Sequence, residues 1–368
     1  MEGELILTKP SENWFEEINY LRAIAIIGVL IIHTIDDTAA VKNLTGLMFS
    51  LMYIEELVRF AVPMFIFVSG FVLYNKYRSE LPVKDFYKKR FMSILIPYII
   101  FSVIYCIVNT QLGLFPAFTL NSVIDSIFNF TASGHFWYFQ LILTFYIFYP
   151  AIIAYYEITK DRFEIHLLFA LFSPILIMYV LGSFIPSFGF ALSTPFKYLI
   201  YFLFGIYTKD NYDKICQRLE RISMKKILLL GSLIASLPFV SMFLVVDSRY
   251  GTQFSNSIPY YYQLTLVSTN ILHICIFMFC LNFLLIYKPK FTLLQKTGEY
   301  SYGIFLVHAL FHNFLLIYIF PRFSIFPTSL NFYIILFTLM LTMSYFTVKL
   351  MLKNRLTSYM ITGKLTNN

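Results

Sequence analysis

An all-α membrane protein crossing the bilayer about ten times is the fold class this sequence predicts, and three observations carry it. The 368 residues are 58% hydrophobic and only 13% charged, with 42 Phe and 28 Tyr, a composition far from that of a soluble globular chain. Apolar stretches long enough to cross a hydrocarbon core of about 30 Å recur along nearly the whole length. Lys and Arg gather in alternate connections, as they do where one side of a membrane protein faces the cytoplasm.

The predicted spans run, in order, near 18–35, 55–75, 91–110, 136–156, 164–183, 195–208, 227–246, 262–286, 300–320 and 331–350. The sixth is the shortest, since Pro195 and Lys197 interrupt its start. With the N-terminus placed inside, the second connection holds Lys76, Arg78, Lys84, Lys88, Lys89 and Arg90, and the sixth holds Lys209, Lys214, Arg218, Arg221, Lys225 and Lys226. Lys160 and Arg162, then Lys288, Lys290 and Lys296, then Lys353, Arg355 and Lys364 fall on the same side, while the opposite connections offer Lys42, Arg249 and Arg322. This asymmetry predicts a multi-pass protein of the cell membrane with both termini cytoplasmic.

Residues 1–17 carry five glutamates and lack the basic start and cleavage site of a signal peptide, so they read as a retained cytoplasmic segment. Residues 18–352 then form one membrane domain and 353–368 a cytoplasmic tail, with no Gly/Ser-rich or Pro-rich linker and no internal repeat. Cys106, Cys216, Cys275 and Cys280 have neither CxxC nor His-rich spacing, which indicates no disulfide framework and no metal site.

The candidate chemistry begins in the first span. Arg22 and His33 are separated by ten uncharged residues, and eleven residues advance an α-helix about 16 Å through nearly three full turns. Both side chains therefore share a face at two depths, where an ionisable group is expensive to hold and suggests function. The plain alternative makes Arg22 a cytoplasmic anchor and His33 an interfacial histidine.

Three further segments join this pair. They are Val62-Pro63-Met64-Phe65-Ile66-Phe67-Val68-Ser69-Gly70-Phe71, Gly134-His135-Phe136-Trp137-Tyr138-Phe139 with Tyr149-Pro150 later in that span, and Tyr300-Ser301-Tyr302-Gly303-Ile304-Phe305-Leu306-Val307-His308. With Tyr20-Leu21-Arg22 leading to His33-Thr34, the four motifs in this order resemble the acyltransferase-3 family of integral membrane acyltransferases over nearly the whole chain. The chain departs from many members in having Arg90 followed by Ser93 where they carry Arg-x-x-Arg, so Arg90 alone carries over. Lys88-Lys89-Arg90 followed by Ile94-Leu95-Ile96-Pro97-Tyr98 looks closer to the polysaccharide-modifying branch that includes adhesin O-succinyltransferases. Residues 1–368 offer no counterpart of the SGNH-type extracellular domain of some peptidoglycan O-acetyltransferases, which makes that particular role the less expected one without excluding it.

The resemblance implies transfer of an acyl group, usually acetyl, from cytoplasmic acyl-CoA to a hydroxyl of a cell-envelope or exported glycan. It implies no permanently bound cofactor and no nucleic-acid partner; the partners are the acyl-CoA donor, a glycan or lipid-linked saccharide, and membrane lipid. His33 is the expected catalytic residue, either as general base toward the acceptor hydroxyl or through an acyl-imidazole, and both roles need it neutral. Arg22 and Arg90 are expected to hold the donor's phosphates, since a guanidinium stays charged and binds phosphate bidentately. Lys84, Lys88 and Lys89 read as topology determinants.

Asp36 follows His33 by one turn and reads either as an outer-loop residue or as a partner of the imidazole. Glu55, Glu56 and Arg59 open the second predicted span, either as an interfacial ion-pair cluster or, through Glu55, as a contact for the acceptor. Ser69 and Gly70 read as small residues that bring helices close. His135 and Trp137 are candidate acceptor contacts against the alternative of an outer aromatic belt, and His308 is a candidate site residue against a structural histidine. A transporter or flippase of a lipid-linked or secreted saccharide is the alternative function, with Arg22 and His33 recognising anions or relaying protons.

Overall fold

The computed structural model describes residues 15–36, 45–115, 118–162, 186–223 and 258–363, with short pieces between 164 and 233; the side chains of 36, 186–193 and 258–268 lie outside the description. It is 85% helical, with no strand among the described residues. The helices are α1 (Glu16–Asp36), α2 (Gly46–Val58), α3 (Ala61–Tyr77), α4 (Val83–Gln111), α5 (Leu120–Phe128), α6 (Trp137–Ile147), α7 (Tyr149–Thr159), α8 (Pro186–Asp210), α9 (Tyr212–Glu220), α10 (Ile258–Tyr287), α11 (Thr292–Phe314), α12 (Leu330–Met351) and α13 (Arg355–Thr362).

Among the described residues six helices are long and apolar enough to cross a membrane, or seven if the bent pair around Phe148 counts as one span. The expected ten therefore reduce to six or seven in what is described. The fifth and seventh predicted spans, 164–183 and 227–246, fall largely outside the described residues. The sixth is present as α8, but its side chains are described only over 194–210, too short a stretch to be counted among the spans.

Prolines set the breaks. Pro63 stands in the first turn of α3, where its missing N–H is harmless but its ring would clash with the carbonyl of Arg59. The helix accordingly stops at Val58 and restarts at Ala61, within one long span over 46–77. Pro150 acts the same way at the start of α7, where α6 and α7 meet at a bend of 58°. Thr45 caps α2, its hydroxyl accepting from the Met48 N–H at 3.2 Å.

At the centre stands α1, with 67% of its span buried inside the protein, against 22% for α12. Ala23, Ala25, Ile26 and Leu30 are fully enclosed, and the helix packs chiefly against α11, then α3. Two glycine contacts hold the bundle tight. A Cβ on Gly70 of α3 would lie 2.2 Å from the Phe202 carbonyl oxygen, and one on Gly205 of α8 would lie 2.1 Å from that of Phe67. A Cβ on Gly298 would likewise lie 1.9 Å from the Asn19 carbonyl oxygen of α1, so both crossings depend on backbones that touch.

Side-chain ties fix the ends. The Tyr20 hydroxyl donates to the Pro289 carbonyl and accepts from the Phe291 N–H, pinning the start of α1 to the α10–α11 connection. Tyr74 donates to Asp210 at 2.8 Å and Glu157 at 3.0 Å, and Tyr156 to Asp210 at 3.1 Å, joining α3, α7 and α8. The start of the expected tail forms α13, which lies against α4 and buries Ser358 and Ile361.

Candidate active site

The helix α1 runs unbroken from Glu16 to Asp36, so Arg22 and His33 do share one helix. At its His33 end, three of the chain's 6 histidines converge from segments far apart in sequence. The ring of His33 lies 5.0 Å from that of His308 on α11 and 6.1 Å from that of His135, which sits in the 3-10 turn Gly134–Phe136. His135 and His308 are 4.7 Å apart. His33 is half-buried, whereas His135 and His308 are enclosed.

Hydrogen bonds settle the proton on His308. Its Nδ1 faces two carbonyl oxygens, those of Phe305 at 2.8 Å and Ile304 at 3.2 Å, and both only accept. In the neutral ring Nδ1 therefore carries the hydrogen, and Nε2, buried and without a hydrogen-bond partner, holds a lone pair. His135 Nδ1 meets the Ser133 hydroxyl at 3.0 Å and leaves its own Nε2 open in the same way. Two buried imidazole nitrogens without partners beside His33 are rare enough to ask for an explanation. Among the described residues no three His, Cys, Asp or Glu are arranged to hold a metal ion.

Groups that sequence reasoning passed over complete this end. Tyr105 of α4 lies 5.4 Å ring to ring from His135 and donates to the Leu306 carbonyl at 3.0 Å, tying α4 to α11 beside the cluster. Asn109 donates to the Ala132 carbonyl at 3.1 Å, which holds the loop before His135, and accepts from Asn313 at 3.3 Å. Buried amides in apolar helices were the available signal, because membrane interiors admit them only where they bond.

About 16 Å along α1, the opposite end gathers cations and phenols. Arg22 is half-buried within electrostatic reach of Tyr138, Tyr146 and Arg90. Arg90 of α4 lies 5.9 Å from the ring centres of both Tyr77 and Tyr146. Its Nε and the hydroxyls of Tyr77 and Tyr149 are buried with no hydrogen-bond partner, so three groups able to donate stand open around one guanidinium. Lys84, Lys88 and Lys89, on the same helix as Arg90, are exposed.

The remaining predicted residues fall elsewhere. Glu55, Glu56 and Arg59 do not open the second span: α2 begins at Gly46, which puts them at the α2–α3 junction within it. There Arg59 bonds both carboxylates at 2.7 Å. His135 is not an interfacial belt residue, being only 3% exposed, whereas Trp137 is 38% exposed and pairs with Tyr198 of α8 at 5.9 Å. Ser69 donates to the Phe65 carbonyl at 2.8 Å within its own helix. The Asp36 side chain lies outside the described residues.

This arrangement sets three imidazoles at one end of a buried helix and two guanidinium groups with open phenolic donors at the other. An acyltransferase-3 family model, described as an acyltransferase domain, matches residues 15–349. No curated protein and no solved structure matches the chain. The matched region takes in α1, both ends of the site and every helix from α2 to α11, and the chain belongs to the acyltransferase-3 family.

Proposed function

We propose that the protein is a cell-membrane O-acyltransferase that moves an acetyl or other short acyl group from cytoplasmic acyl-CoA to a hydroxyl of a cell-envelope or exported glycan. It acts with both termini cytoplasmic and with no permanently bound cofactor, and it falls among enzymes transferring acyl groups other than aminoacyl groups. The observation that carries the reading is the convergence of His33, His135 and His308 on one end of the helix whose other end holds Arg22.

At the inner end Arg22 and Arg90 bind the donor's phosphates. The open Arg90 Nε and the Tyr77 and Tyr149 hydroxyls supply donors that phosphate oxygens would satisfy, and the exposed lysines of α4 do not take part. At the outer end neutral His33 takes the proton of the acceptor hydroxyl. The oxygen attacks the thioester carbonyl, the new C–O ester bond forms, and the C–S bond breaks. The CoA thiolate leaves and receives the proton from the imidazolium. His308, with its hydrogen fixed on Nδ1, offers a lone pair 5.0 Å away ring to ring and serves as a positioning residue for His33.

The test is incubation of radiolabelled acetyl-CoA with sealed vesicles containing the protein, followed by counting of the glycan fraction. Label in glycan that depends on the protein is the expected result. Saccharide movement across the vesicle membrane with no acyl-CoA binding or consumption, across acetyl and succinyl donors, would transfer the assignment to transport.

A further inference from the structure

Away from the histidine cluster, three helices bring a second set of polar side chains together. Lys197 and Tyr201 of α8 are one turn apart, as are Asn270 and His273 of α10, and Glu55, Glu56 and Arg59 lie at the α2–α3 junction. Tyr201 donates to Asn270 Oδ1 at 2.5 Å and meets His273 Nδ1 at 2.9 Å. Its one hydroxyl hydrogen is committed to the amide, so His273 must donate from Nδ1 and its Nε2 holds a lone pair.

That Nε2 and the Asn270 amide nitrogen are both buried without a partner, in residues only 4% and 1% exposed. One is an open acceptor and the other an open donor. Reversing the amide assignment reverses both roles and leaves the same complement. Leaving such groups buried and unused is unfavourable, and hydroxyl groups, which both donate and accept, suit either one.

The surroundings select among hydroxyl compounds. Rings of Trp137, Tyr198, Tyr201 and His273 follow one another at 5.9, 6.1 and 5.8 Å, and Trp137 stands two residues from His135 in the histidine cluster. Lys197 and Arg59 lie in one another's field and in that of Glu56, and His273 lies in the field of both cations. Two cations and the two carboxylates Glu55 and Glu56 balance, which favours a neutral ligand over an anion such as the donor. At the rim of the set Arg59 and Trp137 are 43% and 38% exposed. Aromatic faces beside paired hydrogen-bonding groups and carboxylates are the chemistry that recognises a sugar.

We propose that Asn270 and His273, flanked by Trp137, Tyr198 and the Glu55–Glu56–Arg59–Lys197 rim, form the subsite that binds a hydroxyl of a neutral saccharide. The inference rests on the acyl-transfer reading only in naming that saccharide as the acceptor. The sequence holds 2 tryptophans, so W14F leaves Trp137 as sole reporter. Fluorescence of that protein in detergent is titrated with maltotriose, cellotriose and N-acetylchitotriose, alone and with N270D or H273Q. N270D keeps the acceptor for Tyr201 but loses the amide donor, so a purely structural role for the network predicts wild-type titrations.

A saturable change with at least one trisaccharide, weakened tenfold or more in both variants at matched melting midpoints, is expected. No saturable change with any trisaccharide, or titrations of N270D and H273Q that match those of the protein with Asn270 and His273 intact, overturns the subsite. If saccharide binding behaves as expected while the wild-type protein consumes no acyl-CoA, the subsite stands and the acyl-transfer reading fails.

Discussion

Replacing Gly298 by alanine tests the contact on which the α1–α11 alignment depends. The added methyl would lie 1.9 Å from the Asn19 carbonyl oxygen and 2.7 Å from its carbon, both backbone atoms that cannot rotate aside. Reaching an ordinary contact of 3.4 Å requires α1 and α11 to part by about 1.5 Å, enough to forfeit half or more of the dispersion energy where they touch. Overpacking of this kind costs about 3 kcal/mol at the upper end of its range, and alanine returns about 1 kcal/mol in helix propensity. A net loss of about 2 kcal/mol is expected, read as a fall of about 3 °C in the melting midpoint of the detergent-solubilised protein. The same parting moves His33 against His308, and displacements of about 1 Å can cost about 100-fold in rate. Gly46→Ala is the matched control, since its methyl meets nothing within 4 Å. A G298A protein as stable and active as G46A would refute the close approach and the alignment built on it.

Other perturbations separate the remaining parts. Tyr74→Phe removes the hydroxyl shared by Asp210 and Glu157, and should lower stability by about 1–3 kcal/mol in denaturant titrations; an unchanged midpoint would show that the tie of α3 to α7 and α8 contributes nothing. Arg90→Gln should raise the KM for acyl-CoA at least tenfold, whereas Lys88→Gln, exposed on the same helix, should leave it within twofold; equal effects would remove Arg90 from the donor site. His308→Phe fills the enclosed position but deletes the open Nε2, and should depress turnover at saturating donor by about tenfold or more with little change in KM.

Much of this was legible in the residues because the strongest signals were local. Ten uncharged residues between Arg22 and His33 specify an uninterrupted helix, and α1 supplies it. Pro63 and Pro150 do not read as breaks in the sequence, since the predicted spans 55–75 and 136–156 run through them, and Pro97 and Pro195 lie inside unbroken helices, so packing decides which proline interrupts. What the chain alone hid was pairing across distance. Glu55, Glu56 and Arg59 looked like the mouth of a span because charges normally mark ends, yet their mutual ion pairs let them sit within one. His135 looked interfacial from its aromatic neighbours, while packing by Tyr105, Phe136 and Phe305 encloses it. Asn270 and His273 gave no signal in an apolar run, since their meaning arises only beside Tyr201, 69 and 72 residues away.

The most direct test of the account compares His33→Ala and Arg22→Gln in steady-state acyl transfer from acetyl-CoA, at matched expression and melting midpoint. The account predicts that H33A lowers kcat by about 10² to 10⁴ with the donor KM little changed, as loss of a general base does. R22Q should instead raise the donor KM and spare most of kcat. Equal changes in both parameters for both variants, or full turnover without His33, would contradict the division of α1 into a chemical end and a donor-binding end.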